Sequence, residues 1–120
     1  MAHSFSGTHI IADLYGVKTE LIYKESELKS VIENGIIESG AHLIKTVESF
    51  FDNGGFTLVS LLKESHVSVH TYPEFNALFI DVFTCGDINA MKIIEQIKKY
   101  FLPTRMVIKT IHRGFTNNAF

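Results

Sequence analysis

The chain has 120 residues, of which 46% are hydrophobic and 20% charged, and this length predicts one domain with one core. Its formal net charge is −2 and its largest basic run is Lys98-Lys99, which argues against a nucleic-acid partner. The first residues have neither a basic start nor an apolar run, and no stretch approaches the ~20 apolar residues of a membrane span, so we expect a cytoplasmic protein without a membrane partner.

The amino-terminal third predicts a strand followed by a helix. Residues 8–14 are rich in apolar and β-branched side chains and form a first strand, which ends at Gly16. Ser26 is the expected N-cap of a helix whose apolar positions recur at helical spacing. Gly40 is the expected left-handed end of that helix.

The middle of the chain predicts three strands. Strict alternation indicates a strand over residues 41–50, and the Asp-Asn-Gly-Gly run at 52–55 is the clearest turn in the sequence. Residues 56–62 and 65–71 form two further strands. The linkage Glu64-Ser65 lies between these strands without a turn residue, so we expect a strained peptide at this point.

The last third predicts a strand, a helix and a strand. Residues 75–83 alternate as a strand, and Asp87 or Asn89 caps a helix that Pro103 terminates. Residues 106–111 form the last strand. Several strands with only two helices predict an α+β fold, in which an antiparallel sheet is covered on one face by two helices as a two-layer sandwich.

Chemically active side chains are concentrated in two segments. Residues 63–74 read Lys-Glu-Ser-His-Val-Ser-Val-His-Thr-Tyr-Pro-Glu, and residues 83–87 read Phe-Thr-Cys-Gly-Asp and contain the only cysteine. The hydroxyl of Ser65 follows a carbonyl that it can attack, and His70 is a base five residues away. With such an arrangement a chain can cut itself and convert the serine to a pyruvoyl group.

These two segments resemble the signature of the small prokaryotic S-adenosylmethionine decarboxylase proenzymes, and the similarity extends from about Gly7 to Gly114. The resemblance implies one domain, residues 1–120, that is cut into a β chain, 1–64, and an α chain, 65–120. It also implies the α+β sandwich, a homodimer of αβ protomers, a small-molecule substrate and a pyruvoyl cofactor.

Three residues are expected to carry the chemistry. Ser65 attacks the carbonyl of Glu64 to form an ester, and His70 then removes the α-proton of Ser65. The dehydroalanine that remains hydrolyses to the pyruvoyl group with loss of ammonia. In turnover the substrate amine forms a Schiff base with that group, and by resemblance Cys85 returns a proton to the substrate carbon. Self-cleavage is therefore expected to need Ser65 and His70, and turnover to need Cys85 as well.

The resemblance also assigns four supporting residues. Thr57 assists processing, Glu74 contacts the substrate, and Phe51 stacks on the adenine. Tyr72 replaces the tryptophan that is more usual in relatives. Phe51 and Tyr72 are equally well explained as aromatic residues of the core or of a subunit contact. No metal site is expected, because histidines four apart in a strand are about 13 Å apart.

Departures from the family pattern are concentrated before the cleavage site and leave two alternatives open. A bulky Phe56 or Leu58 would fill the space of an adenine, which favours a pyruvoyl-dependent decarboxylase of arginine or ornithine, with Glu74 holding the distal cation. The other alternative is an uncleaved relative with a binding or regulatory role.

We expect the expressed protein to resolve into fragments 1–64 and 65–120, the second with an amino-terminal pyruvoyl group. The Ser65→Ala variant lacks the nucleophile and should stay intact. Intact-mass spectrometry after prolonged incubation shows whether the wild-type chain and the Ser65→Ala chain have been cut. A wild-type chain that stays whole would contradict self-processing, and cleavage of Ser65→Ala at the same bond would show that the nucleophile is another residue.

Overall fold

The computed structural model describes residues 5–114. These residues form six strands, which are β1 (Ser6–Tyr15), β2 (Leu43–Phe50), β3 (Phe56–Leu62), β4 (His66–Tyr72), β5 (Ala77–Cys85) and β6 (Arg105–Gly114). They also form the helices α1 (Thr19–Ile22), α2 (Glu25–Ser39) and α3 (Ala90–Phe101), and a short 3₁₀ helix, Pro73–Phe75.

All six strands join one antiparallel sheet in the order β2-β3-β4-β5-β1-β6. Helices α2 and α3 cover one face, and the core lies between them and alternate residues of the strands. The Tyr100 hydroxyl donates a hydrogen bond to Glu27 and so joins the two helices. Burial of the hydroxyl is the largest cause that raises the pKa of Tyr100 to about 12, and this hydrogen bond is the second. The α+β two-layer prediction is confirmed.

Several local predictions are confirmed and one is wrong. Gly40 ends α2 with a φ of 92°, a left-handed conformation that favours glycine. Asn89 occupies the N-cap of α3, although its side chain makes no capping bond. Ser26 is not a cap, because α2 begins one residue before it, at Glu25, and its N-cap is Lys24.

The predicted strands differ from the observed ones where local geometry interrupts the alternation. A bulge between Leu43 and Lys45 shifts the register of β2, so the strict alternation expected across residues 41–50 does not hold. Residues 73–75 form the 3₁₀ helix, and Asn76 follows with a φ of 52°, so β5 begins at Ala77. Strand β6 is longer than expected at both ends.

The connection between β3 and β4 is tight but shows no left-handed residue. The amide of Leu62 donates to the Ser65 carbonyl at 3.0 Å, which closes the turn. Within residues 5–114 the positive-φ residues other than glycine are Asn76 and Leu102, neither of which is in this turn. The strain expected at Glu64-Ser65 is therefore not seen as a left-handed backbone.

The sheet face opposite the helices, called the open face below, carries large exposed apolar side chains from five strands. They are Ile11, Val47, Leu61, Phe79, Val107 and Ile111. Aliphatic and aromatic side chains spread in this way over one sheet face are typical of a contact surface. No helix within residues 5–114 is long and apolar enough to cross a membrane.

Candidate active site

The first group of site residues, the cleavage cluster, consists of Glu64, Ser65 and Cys85. The Cys85 backbone amide donates to the Ser65 hydroxyl oxygen at 3.2 Å. The Cys85 thiol donates to the Glu64 carbonyl oxygen, also at 3.2 Å. Cys85 therefore contacts both the oxygen that would attack and the carbonyl that would be attacked.

Strand pairing holds the cleavage cluster in place. Cys85 is the last residue of β5 and pairs with Gly7 of β1, while Ser65 lies directly before β4. Ser65 is only 7% exposed, although it is in a connection between strands. Its hydroxyl is thus shielded from bulk water beside the carbonyl that precedes it.

The thiol contact suits the first step of self-cleavage. When a hydroxyl adds to a carbonyl, negative charge develops on the carbonyl oxygen, and a hydrogen-bond donor at that oxygen stabilises the transition state. The Cys85 thiol is such a donor, although a weak one. The sequence had indicated Cys85 for turnover alone, and the structure adds this contact to the scissile bond.

The second group, the distal cluster, consists of Phe51, Thr57, His70, Tyr72 and Glu74. The Thr57 hydroxyl and the Nδ1 atom of His70 are 3.0 Å apart, and the two residues pair directly between β3 and β4. The Tyr72 ring packs against Phe79 at 4.9 Å between centroids. Glu74 accepts a hydrogen bond from the side chain of Asn53.

Phe51 completes the distal cluster from the turn between β2 and β3. Its amide donates to the Gly55 carbonyl at 2.7 Å, and its side chain is 45% exposed. The turn that bears Phe51 and the segment that bears Glu74 are joined by Asn53. The three residues expected to contact substrate therefore lie at one end of the sheet.

The two clusters are far apart within one protomer. Strand β4 is extended, and at about 3.3 Å per residue the five positions from Ser65 to His70 span about 16 Å. The short sequence separation had suggested that His70 lies beside Ser65. That inference fails for a single protomer, because an extended strand moves the two residues apart.

Phe56 and Leu58 do not lie where the substrate alternative requires them. Both are fully buried, on the sheet face that the helices cover. Thr57, between them, points to the opposite face because successive strand residues alternate. Neither bulky side chain therefore takes space on the face that carries the distal cluster.

A histidine–aspartate group on the open face was not identified from the sequence. His9 Nε2 is 2.5 Å from Asp81 Oδ1, and His66 Nε2 is 3.8 Å from the same oxygen. The pairing of β1 and β4 on either side of β5 brings them together, which no local spacing reveals. In the described part of the chain, no three His, Cys, Asp or Glu side chains are placed to hold a metal ion.

In this α+β sandwich Cys85 contacts both the Ser65 hydroxyl and the Glu64 carbonyl, which is the arrangement that a class of enzymes that cut themselves would need. A family model described as S-adenosylmethionine decarboxylase matches residues 8–114. The chain belongs to the S-adenosylmethionine decarboxylase family, as the resemblance had implied.

Individual relatives agree with the family model. An S-adenosylmethionine decarboxylase proenzyme of Archaeoglobus fulgidus is 43% identical over 96 residues, which are 80% of this chain and 83% of the relative. A proenzyme of the same name from a Hydrogenobaculum species is 40% identical over 116 residues, 94% of this chain and 85% of the relative. The crystal structure of the adenosylmethionine decarboxylase of Aquifex aeolicus aligns with a TM-score of 0.86 at 31% identity, covering 99% of this chain and 98% of that one.

The thiol contact generates a prediction for self-cleavage. Cys85→Ala removes the donor to the Glu64 carbonyl and should slow cleavage on the order of tenfold. Cys85→Ser keeps a donor and should cleave faster than Cys85→Ala. The measurement is the mass-spectrometric time course of intact chain after rapid purification. If Cys85→Ala cleaves at the wild-type rate, the thiol has no part in this step.

Proposed function

We propose that this protein is a self-processing decarboxylase that converts S-adenosylmethionine to its decarboxylated aminopropyl donor for spermidine synthesis, in the cytoplasm. The observation that carries the proposal is the pair of contacts from Cys85 to Ser65 and Glu64, in a chain of this family. Part of the case for a basic amino acid substrate was that Phe56 or Leu58 fills the adenine space, and both are in the core.

Self-cleavage begins in the cleavage cluster. The Ser65 oxygen adds to the Glu64 carbonyl carbon while the Cys85 amide and thiol hold the two reacting groups. The carbon–nitrogen bond breaks and leaves an ester, and removal of the Ser65 α-proton then expels the Glu64 carboxylate. The products are fragments 1–64 and 65–120 of one domain.

The serine position and the thiol fit a pyruvoyl enzyme. The pyruvoyl group made from Ser65 supplies the electron sink for decarboxylation. The Cys85 thiol lies 3.2 Å from the Glu64 carbonyl oxygen, next to residue 65, where the substrate would be held. This contact supports Cys85 as the proton donor to the substrate carbon.

The proton transfer assigned to His70 requires a second copy of the chain. His70 is about 16 Å from Ser65 in its own protomer, too far for a proton to pass directly. The Thr57 hydroxyl, 3.0 Å from Nδ1, orients the imidazole. The imidazole therefore serves the Ser65 of another protomer in this proposal.

A homodimer through the open face supplies that arrangement. The twofold axis of this dimer would lie in the contact plane and cross the strands near the middle of β4. It reverses the strand direction and places the cleavage cluster of one protomer against the partner's distal cluster. The exposed apolar side chains of the open face would be buried in the same contact. Each complete site would then contain Ser65 and Cys85 of one chain with His70, Phe51, Tyr72 and Glu74 of the other.

Complementation between two inactive variants tests the shared site. Ser65→Ala and His70→Ala should each fail to cleave alone, whereas co-expression should cleave the His70→Ala chain, since its Ser65 then faces an intact His70. The two chains carry different tags, and mass spectrometry identifies which of them is cut. We expect up to half of the His70→Ala chains to react if the subunits pair at random.

The matched control co-expresses His70→Ala with a chain that carries both Ser65→Ala and His70→Ala. No histidine is available at position 70 in that pair, so all chains should remain intact. Cleavage of single His70→Ala at the wild-type rate, or lack of cleavage in mixed dimers of proven composition, would contradict the shared site.

The substrate is tested by the release of labelled CO₂ from S-adenosylmethionine, arginine and ornithine in parallel. We expect release from S-adenosylmethionine only, and a loss of at least tenfold in kcat/KM with Glu74→Gln, because an ionised acceptor is removed. Ser65→Ala is the inactive control. Release from arginine or ornithine alone by fully cleaved protein would overturn the assignment.

A further inference from the structure

Arg113, Gly7 and Cys85 form one row across three neighbouring strands. Gly7 of β1 pairs with Arg113 of β6 on one side and with Cys85 of β5 on the other. Directly paired residues point to the same sheet face, so all three face away from the helices. Strands are about 4.8 Å apart, which puts the backbones of Arg113 and Cys85 about 10 Å from each other.

The Phe83 ring fills the middle of this row, which is possible because Gly7 has no side chain. A Cβ atom at position 7 would lie 2.5 Å from the Cε1 atom of Phe83, so a larger residue cannot occupy this place without moving the ring. A cavity of about 510 Å³ lies here, and its lining includes Arg113, Phe83, Cys85 and Glu64. Arg113 and Glu64, the residue before the scissile bond, thus line one cavity.

The Arg113 guanidinium has a defined position but no carboxylate partner in the described part of the chain. Its Cζ atom lies 4.9 Å from the centre of the Phe83 ring, a cation–π contact. Its Nη1 atom is 3.5 Å from His9 Nδ1. Within residues 5–114 no Asp or Glu oxygen lies within 4.0 Å of it. A planar cation held in this way matches the geometry of a carboxylate.

The reaction brings α-carboxylates to this cavity. The Glu64 carbonyl oxygen, 3.2 Å from the Cys85 thiol, becomes part of a terminal carboxylate when the bond to Ser65 is cut. The substrate amine must then react at residue 65, which brings the substrate's own α-carboxylate to the same place. Both are the same chemical group, and the cavity lined by Arg113, Glu64 and Cys85 is next to the place where each would form or bind.

We propose that Arg113 is the α-carboxylate-binding residue of this cavity, an inference that rests on the proposed function. If its ligand is the substrate, Arg113 orients the carboxylate that leaves as CO₂ and selects amino acids over their decarboxylated products. If its ligand is the terminus of Glu64, Arg113 draws the new carboxylate toward β6, away from residue 65. The shared chemistry is a salt bridge between a guanidinium and an α-carboxylate.

The first experiment tests the substrate as the source of the carboxylate. Arg113→Gln in the cleaved enzyme should raise the KM for S-adenosylmethionine about tenfold to a hundredfold. The inhibition constant of the decarboxylated product, which lacks the carboxylate, should change less than twofold. Arg113→Lys keeps the charge and should recover most of this loss.

The second experiment tests the terminus of Glu64 as the source. Thermal unfolding of Arg113→Gln is compared in cleaved protein and in the uncleaved Ser65→Ala background. A carboxylate that exists only after cleavage predicts a lower Tm in the cleaved protein and no change in the uncleaved one. The control in both experiments is Arg105→Gln, which is on the same strand and removes a similar contact, 5.6 Å from the Tyr15 ring, far from the cavity.

The outcomes distinguish the two sources of the carboxylate, and they distinguish this inference from the proposed function. A selective rise in KM identifies the substrate, and a cleavage-dependent fall in Tm identifies the terminus of Glu64. If Arg113→Gln changes substrate and product binding equally and lowers Tm equally in both backgrounds, this inference is wrong. A wild-type enzyme that releases no CO₂ from S-adenosylmethionine refutes the proposed function instead, and the Tm comparison still tests Arg113.

Discussion

The hydrogen bonding of β4 on both of its sides is the constraint on which the site depends. Strand β3 pairs with one edge and β5 with the other, so β4 must remain extended from His66 to Tyr72. This extension separates the cleavage cluster from the distal cluster, although Ser65 and His70 belong to one continuous motif. The motif therefore describes two half-sites at opposite ends of a strand, and the proposed dimer is the arrangement that unites them.

The strand order also explains how a cut chain can remain one domain. Fragment 1–64 contributes β1, β2 and β3, and fragment 65–120 contributes β4, β5 and β6. Strand β1 lies between β5 and β6, and β3 pairs with β4 next to the cut. The fragments are thus interleaved and share one core, so breaking the Glu64–Ser65 bond removes a covalent connection without separating hydrogen-bonded strands.

The proposed mechanism gives a single thiol, that of Cys85, a role in two successive reactions. Before cleavage the Cys85 thiol contacts the Glu64 carbonyl, where negative charge develops as Ser65 attacks. In the proposed mechanism the same thiol then returns a proton to the substrate carbon at residue 65. Its position at the end of β5, paired with Gly7, suits both steps because the side chain faces a cavity rather than the core.

The sequence by itself determined the six strands, the two long helices, the left-handed end at Gly40 and the family. Period-two alternation and turn residues are local signals, and the cleavage motif is one continuous run. The sequence did not predict the bulge in β2 or the 3₁₀ helix after Tyr72, because both depend on how neighbouring segments pack. Only the tertiary structure decided which motif residues meet: Ser65 contacts Cys85, twenty residues away, and not His70, five residues away, because strand pairing sets distances that sequence separation does not.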